Sequence, residues 1–361
     1  MTDFESYIRQ GEPGQRERAN NWSIAIGLQA VDGLTPSEYL ISSARENIEG
    51  HISLDEVRQR INAYYQSKEG RELEAKESGK EEADKVSENI TRLLSEQTFA
   101  LSVASFSNIH RRIFAGVMKH AGEFRKYNIS KKEWVLDGES VIYAPYELLA
   151  ESLEYDFEQE RKFDYSKLGD EERLNHLMHF IAGIWQIHPF AEGNTRTTAV
   201  FTIFYLRKFG YKLHNEPFAQ YSLFFRNALV RANYDNHSAG IVSTYEPLTH
   251  FFRYILFGEK QELRNRYLHI RAAEILSQST NIGDKNNEIG DKSATNPEIG
   301  DKKQQILAFI SNHGEVKADD VAKHIGLGAS RTRDYLKQLV EEGKLLAMGA
   351  NKNRTYKIKE I

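Results

Sequence analysis

Residues 171–187, EERLNHLMHFIAGIWQI, form a strongly apolar helical pattern that has to stop at His188-Pro189, because proline disfavours helix in the residue before it. A second helical pattern runs from about Thr195 to Phe209 and ends at Gly210, a residue suited to terminating a helix. Two apolar helices joined by a short loop need a helical body around them. The chain supplies one: Leu93, Leu94, Phe99, Ile109, Ile113, Phe114 and Val117 recur on apolar faces from Ile90 onward. The expected class is therefore mainly α.

One stretch breaks this rhythm. Ser130 to Pro145 places two short β-prone runs, Trp134-Val135-Leu136 and Val141-Ile142-Tyr143, on either side of Asp137-Gly138. That pattern predicts a β-hairpin inside a helical domain. Upstream, Leu40, Ile41, Ala44 and Ile48 are spaced for a helix, and Ser53 with Glu56 makes a capping box for another. Residues 67–88 are dense in charges of both signs and read as a solvated helix or loop. The divisions expected are an N-terminal helical segment at 1–88, a core at 89–278, a linker at 279–302 and a C-terminal domain at 303–361.

The linker rests on Asn-Ile-Gly-Asp-Lys at 281–285, which returns as Glu-Ile-Gly-Asp-Lys at 288–292 and 298–302. Short polar Gly-containing repeats make a flexible spacer, not a solenoid. Beyond it the order is helix, helix, turn, helix, then β-prone runs at 345–348 and 355–358, which is the winged-helix order of an α+β domain. From Lys302 to Ile361 there are 12 Lys/Arg against 7 Asp/Glu, although the whole chain carries a net −4. A basic module on an acidic body suggests an anionic partner. Arg331, Arg333 and Lys337, on one face of helix 330–342, are the candidate DNA contacts, with Lys352 and Arg354 on the wing.

The chain has no cysteine, which excludes disulfides, thiol nucleophiles and thiolate metal sites. It has no apolar run near the ~18 residues of a membrane span and no signal-peptide core at Met1 to Gly14. A cytoplasmic protein without a membrane partner is the expectation.

The chemistry concentrates between the two central helices, in His188-Pro-Phe-Ala-Glu-Gly-Asn-Thr-Arg196. The loop opens onto a helix N-terminus, where unpaired N–H groups and the dipole favour an anion. Gly193 permits close backbone approach. Arg196 follows in the first turn, where it opposes the dipole unless an anion lies between. His188 offers a general base near neutral pH. Glu192 offers a hard oxygen suited to Mg²⁺, which takes few carboxylates plus phosphates. Base, metal ligand, anion cradle and cation within nine residues point to phosphate chemistry.

This segment resembles the Fic motif, His-Pro-Phe-x-Asp/Glu-Gly-Asn-Gly/Lys-Arg-x-x-Arg, through His188, Pro189, Phe190, Glu192, Gly193, Asn194 and Arg196. The resemblance spans roughly residues 20–270 and includes His110-Arg111-Arg112, Ala121-Gly122-Glu123-Phe124-Arg125 and the expected hairpin. It implies a Fic-type helical core with that hairpin as a flap, and a protein adenylyltransferase that moves AMP from ATP to a Ser, Thr or Tyr hydroxyl of a target protein, with self-modification. By the resemblance His188 takes the hydroxyl proton and Phe190 anchors the loop. Glu192 holds Mg²⁺ between the α- and β-phosphates. Gly193, Asn194 and Thr195 cradle phosphate oxygens, and Arg196 neutralises the leaving pyrophosphate. The flap holds the target segment by strand addition. A homodimer is a candidate assembly.

Two positions depart from the motif. Thr195 stands where Gly or Lys is usual, and Ala199 stands where the second Arg is usual. The second departure leaves room for another donor, such as a diphosphate-linked nucleotide. The family's inhibitory pattern, Ser/Thr-x-x-x-Glu-Gly/Asn, is matched by Ser42 with Glu46-Asn47, and Glu49-Gly50 is a second candidate, within a helix near 38–58. With Ala199 in place, a clamp has to use Arg196 or the backbone. His176 and His179 do not converge with His188 for zinc. Asn227, Arg231, Asn233 and Tyr234 line either a base pocket or a structural polar network. Trp134 and Tyr143 either contact the target or simply pack. The alternative function is a DNA-binding transcriptional regulator whose core senses a nucleotide without turnover, or transfer of a different phosphate-linked group.

Overall fold

The computed structural model describes residues 4–96, 98–272, 306–307, 309–311, 313–325, 329–341, 344–348 and 354–359. The expected linker at 279–302 and Lys352 of the wing lie outside them. The chain divides into two compact units, Met1–Lys285 and Asn286–Ile361.

Two long helices lie at the centre of the first unit, α9 (Asp170–Ile187) and α10 (Asn194–Lys208). Every residue of α10 from Asn194 to Leu206 is buried, so neighbours must surround it, as a helix apolar on all sides requires. α7 (Val103–Ile113), α9, α6 (Lys80–Leu94) and the turn Leu28–Asp32 pack on it, Phe157 of α8 (Leu149–Lys162) reaches it, and α11 (Glu216–Gln220), α12 (Ser222–Ala232) and α13 (Glu246–Phe257) add to the same core. Their aromatic rings interlock: Phe106, Phe157 and Phe180 all pack on Phe201 of α10.

The N-terminal helices are α1 (Glu5–Gln10), α2 (Pro13–Gly27), α3 (Glu38–Glu49), α4 (Leu54–Gln66), α5 (Lys68–Lys76) and α6 (Lys80–Leu94). The Ser53–Glu56 capping box forms as expected, with Glu56 N–H donating to Ser53 Oγ and Ser53 N–H to Glu56. Leu40, Ala44 and Ile48 line a second core with Trp22, Val57 and Ile61. These helices are not a separate layer. Ile24, Ala25, Leu28, Val86 and Ile90 enter the same core as α9 and α10, and the boundary expected at residue 88 falls inside α6.

The reading of 67–88 as solvated is corrected by α6, where Ala83, Asp84, Val86, Ser87 and Glu88 are buried. The carboxylates can be buried because each finds donors. Asp84 accepts from Ser37 N–H at 2.8 Å, Ser37 Oγ at 2.5 Å and Tyr65 OH at 2.8 Å. Glu88 pairs with Arg58 and Arg92.

The expected β-hairpin at 130–145 is also corrected. Trp134–Leu136 is a 3₁₀ turn and 139–145 has no regular secondary structure. Val135 and Leu136 are both fully buried, which successive residues of a half-buried strand cannot be. The turn itself follows the expected chemistry. Asp137 and Gly138 both have positive φ, 57° and 90°, and Glu133 N–H donates to Glu139 O at 2.9 Å.

In the second unit, residues 306–307, 309–311 and 313 are helical. They are followed by β1 (Val316–Lys317), α14 (Ala318–Ile325), α15 (Ala329–Glu341), β2 (Leu345–Met348) and β3 (Thr355–Ile358). The strands form one antiparallel sheet in the order β1-β3-β2. Tyr335, Leu336 and Leu339 of α15 face its core. The two-residue β1 has no sequence signal, since it pairs only through Val316↔Tyr356 and Lys317↔Thr355.

Candidate active site at the α9–α10 loop

α9 ends at His188, which takes the left-handed conformation (φ 51°, ψ 58°). A non-glycine residue is strained there, so the surroundings must hold it. Pro189 prevents helix from continuing. Arg125 fixes the exit: its Nε donates to His188 O at 2.8 Å and its backbone N–H to Pro189 O at 2.8 Å. The same guanidinium donates to Tyr127 O and Ala144 O, tying the segment 139–145 to the loop. We call 130–145 the flap.

The His188 ring is buried between Tyr143 and Trp185, with centroids at 4.3 and 5.2 Å. Nδ1 lies 3.2 Å from Trp185 O, an acceptor only, so the proton sits on Nδ1. Nε2 is then a bare lone pair, and it has no hydrogen-bond partner. Burial, then the charges of Lys131, Arg226 and Arg125, hold the imidazole well below its usual range. His188 is therefore neutral and its basic nitrogen is unengaged.

The rest of the loop is stapled from within. Phe190 is fully buried against His110, Phe106 and Phe124, as expected of an anchor. Asn194 makes two bonds back to the Phe190 backbone, at 3.0 and 2.7 Å, so its amide shapes the loop. Thr195 Oγ1 accepts from Trp185 Nε1 at 2.9 Å. The hydroxyl that replaces the usual Gly or Lys therefore locks α10 to α9. What remains to meet an anion is the backbone at the start of α10.

Gly193 has φ 73°. A Cβ there would sit 2.1 Å from Phe114 Cζ. Gly193→Ala should destabilise the chain by about 2–4 kcal/mol, combining left-handed strain with overpacking. Denaturant unfolding checks this, and Phe114→Leu in the same chain should restore only the steric part.

His110 is a site residue to which the sequence reading gave no role. Gly122 N–H donates to its Nδ1 at 2.8 Å, so Nε2 carries the proton and donates to Glu192 O at 3.1 Å. Its ring stacks on Phe190 at 3.8 Å. Burial pushes its pKa down to about 4, so this neutral tautomer persists and fixes the backbone that carries Glu192. The Glu192 carboxylate is 64 % exposed and lies 3.4 Å from Lys131 Nζ. One exposed carboxylate beside a phosphate cradle suits Mg²⁺ that arrives with phosphates. Among the described residues no three His, Asp or Glu converge into a metal cage.

Arg196 is placed differently from expectation. It is 2 % exposed and lies over Phe114, with CZ 4.7 Å from the ring centroid. Nη1 donates to Gln29 Oε1 at 3.1 Å and Nη2 to Glu82 Oε1 at 2.9 Å. Asp32 Oδ2 lies 2.8 Å from Nε, as an ion pair without an aligned hydrogen bond. Glu46 and Glu49 take no part. Glu46 pairs with Arg60, and Glu49 takes the Tyr7 hydroxyl and faces His51. They sit on α3, whereas α6 and the turn after α2 are what reach Arg196. The carboxylates that engage Arg196 are thus Glu82 and Asp32, not the expected Glu46 or Glu49.

Asn227 Nδ2 donates to Asn265 Oδ1, and Asn233 Nδ2 to Ala182 O and Leu229 O. His176 bonds Glu160, and His179 bonds Asn175 O.

Residues 100–206, which hold all of the loop and the flap, match the Fic/DOC family. The chain carries a Fic/DOC family domain. Residues 302–352, beyond the Fic domain, match the family of FaeA-like proteins. No curated protein matches the chain. Among solved structures, a Fic family protein from Desulfovibrio desulfuricans G20 is similar over 98 % of this chain and 90 % of its own, at 14 % identity and a TM-score of 0.43. The N-terminal Fic domain of a Bartonella effector protein from Bartonella sp. AR 15-3, a substrate of the VirB type IV secretion system, covers 52 % of this chain and 84 % of its own, at 18 % identity and a TM-score of 0.40. The type IV secretion system effector protein BepA covers 62 % and 71 %, at 19 % identity and a TM-score of 0.38. No described helix is long and apolar enough to cross a membrane.

Proposed function

We propose that the chain is a protein adenylyltransferase that moves AMP from ATP to a Ser, Thr or Tyr hydroxyl of a target protein and of itself. The observation that carries this reading is His188 Nε2: neutral, buried and unpartnered, beside a helix N-terminus built to receive phosphate. A base of this kind activates a hydroxyl, and in-line attack at phosphorus then needs position and charge neutralisation more than covalent help. Glu192 is the residue that would hold Mg²⁺, which supplies charge neutralisation at the α- and β-phosphates. Segment 139–145 has no ladder partner and places Tyr143 against His188, which fits the docking of a target strand there. Arg196 is held by Glu82 and Asp32, which supports an autoinhibitory restraint on its contact with phosphate.

Label position tests the transferred group. ATP labelled at the α-phosphorus should mark the protein, and ATP labelled at the γ-phosphorus should leave it unmarked. The reverse pattern would mean phosphoryl transfer and would overturn the proposal.

A second reading concerns the C-terminal unit. Its helices and three-stranded sheet follow the winged-helix order, and Arg333 and Lys337 are exposed on α15. The Arg331 side chain lies outside the described residues. Together with the match to FaeA-like proteins, this supports DNA as a partner of that unit.

A further inference from the structure

Three cations surround His188: Lys131, Arg226 and Arg125. Two are tied into the interior. Arg125 donates to four backbone carbonyls, of His188, Tyr127, Ala144 and Ile187. Arg226 pairs at 2.8 Å with Glu133, which is 1 % exposed. Lys131 differs. It stands on the flap, with its N–H on Ser140 Oγ, and its ammonium pairs with the solvent-facing carboxylate of Glu192 at 3.4 Å, while its charge also acts on Glu133. On the opposite wall Arg196 is engaged by Asp32 and Glu82, and Ala199 is buried and carries no charge. Among the described residues facing His188, Lys131 is thus the cation placed at the mouth of the site and free to exchange partners.

We propose that Lys131 is the donor-binding cation of this site: carried by the flap, it contacts the phosphates of the nucleotide and sets its affinity. This inference rests on the transferase reading above. A reacting phosphorus has to lie near both His188, through the incoming hydroxyl, and Glu192. Lys131 meets Glu192 at 3.4 Å and its charge acts on His188, so its ammonium falls within reach of the phosphates. In the transfer the hydroxyl oxygen forms a bond to the α-phosphorus as the bond from that phosphorus to the bridging oxygen breaks. Pyrophosphate leaves with the electron pair, and the hydroxyl proton goes to His188 Nε2. Negative charge grows on the leaving group, where a nearby ammonium stabilises it. Lysine suits this as a mobile point charge that follows the phosphates through the step. The same residue carries the flap, so nucleotide binding and closure of the target groove become one event.

The competing role is a tether, with Lys131 merely holding the flap to Glu192. The full chain, Lys131→Met and Lys131→Arg separate the two, with ATP and Mg²⁺ as the probe. Calorimetry gives ATP affinity, and self-labelling gives KM for ATP and the pH profile. Lys131→Met should weaken ATP binding and raise KM by about tenfold, the equivalent of one lost charge contact, and Lys131→Arg should recover most of it. The acid limb of the Lys131→Met profile should also move upward, because a positive charge that disfavours the imidazolium is gone. Unchanged ATP affinity in Lys131→Met, or failure of arginine to rescue, overturns the assignment. If the parent binds and cleaves ATP, only the role of Lys131 falls. A parent that does neither overturns the transferase reading and this inference with it.

Discussion

Replacing His188 by alanine should lower the rate of adenylyl transfer by about 10²–10⁴-fold, the usual contribution of a positioned general base. The loop should survive the change. Its backbone is held by Arg125 on the carbonyls of His188 and Pro189, by Asn194 on Phe190 and by His110 on Glu192, none of which uses the imidazole. ATP affinity should therefore stay near that of the parent while turnover falls. The pH profile supplies a second signature. The imidazole is buried and faces Lys131, Arg226 and Arg125, with the carboxylates of Glu133 and Glu192 beyond two of these cations. Its folded pKa is lowered, so the neutral base is retained as pH falls through 6.5 and is lost only well below that. The parent's rate should be flat from pH 8 to below 6.5. A half-loss at pH 6.5 would mean an ordinary, solvated histidine and would contradict the site described.

Removing the two carboxylates on Arg196 should act in the opposite direction. Asp32→Ala with Glu82→Ala should raise self-labelling about tenfold or more, a change of the size expected when about 1.4 kcal/mol of restraint is released. The double variant should also be less stable. Breaking a buried ion pair costs about 3–5 kcal/mol, but these carboxylates are 34 % and 31 % exposed, and Gln29 and Phe114 still hold the guanidinium. About half that loss is expected in denaturant unfolding. Arg196→Met is the control, since it removes the cation itself and should lower transfer. If the double variant loses activity as Arg196→Met does, the carboxylates position Arg196 for catalysis and the clamp reading fails.

Much of the site was legible because its parts are adjacent in sequence. An apolar helix, a proline stop, a glycine and a second helix define the loop from residue 171 to 209, and the structure keeps those bounds within a residue or two. What could not be read was what reaches the loop from elsewhere. Asp32, Glu82, His110 and Lys131 lie about 60–165 positions upstream of their partners, and no local period records such pairings. Glu82 was hidden for a specific reason. A run rich in Glu and Lys looks solvated, yet α6 draws much of it inward by matching Glu82, Asp84 and Glu88 to donors outside the helix. The hairpin misreading has the same origin. Asp137-Gly138 fixed the turn correctly, but only packing could show that Val135 and Leu136 are both buried, which favours a 3₁₀ turn over a strand. Glu46 and Glu49 satisfied a short pattern, and their helix simply faces other partners.

Intact mass shows whether His188 drives adenylyl transfer. The full chain and its Asp32→Ala/Glu82→Ala variant would be incubated with ATP and Mg²⁺, each beside its His188→Ala counterpart. The account predicts a gain of one adenylyl group wherever His188 is present, larger in yield once the carboxylates are gone, and no gain in either His188→Ala chain. A gain that survives His188→Ala, or no gain even with the clamp removed, would contradict it.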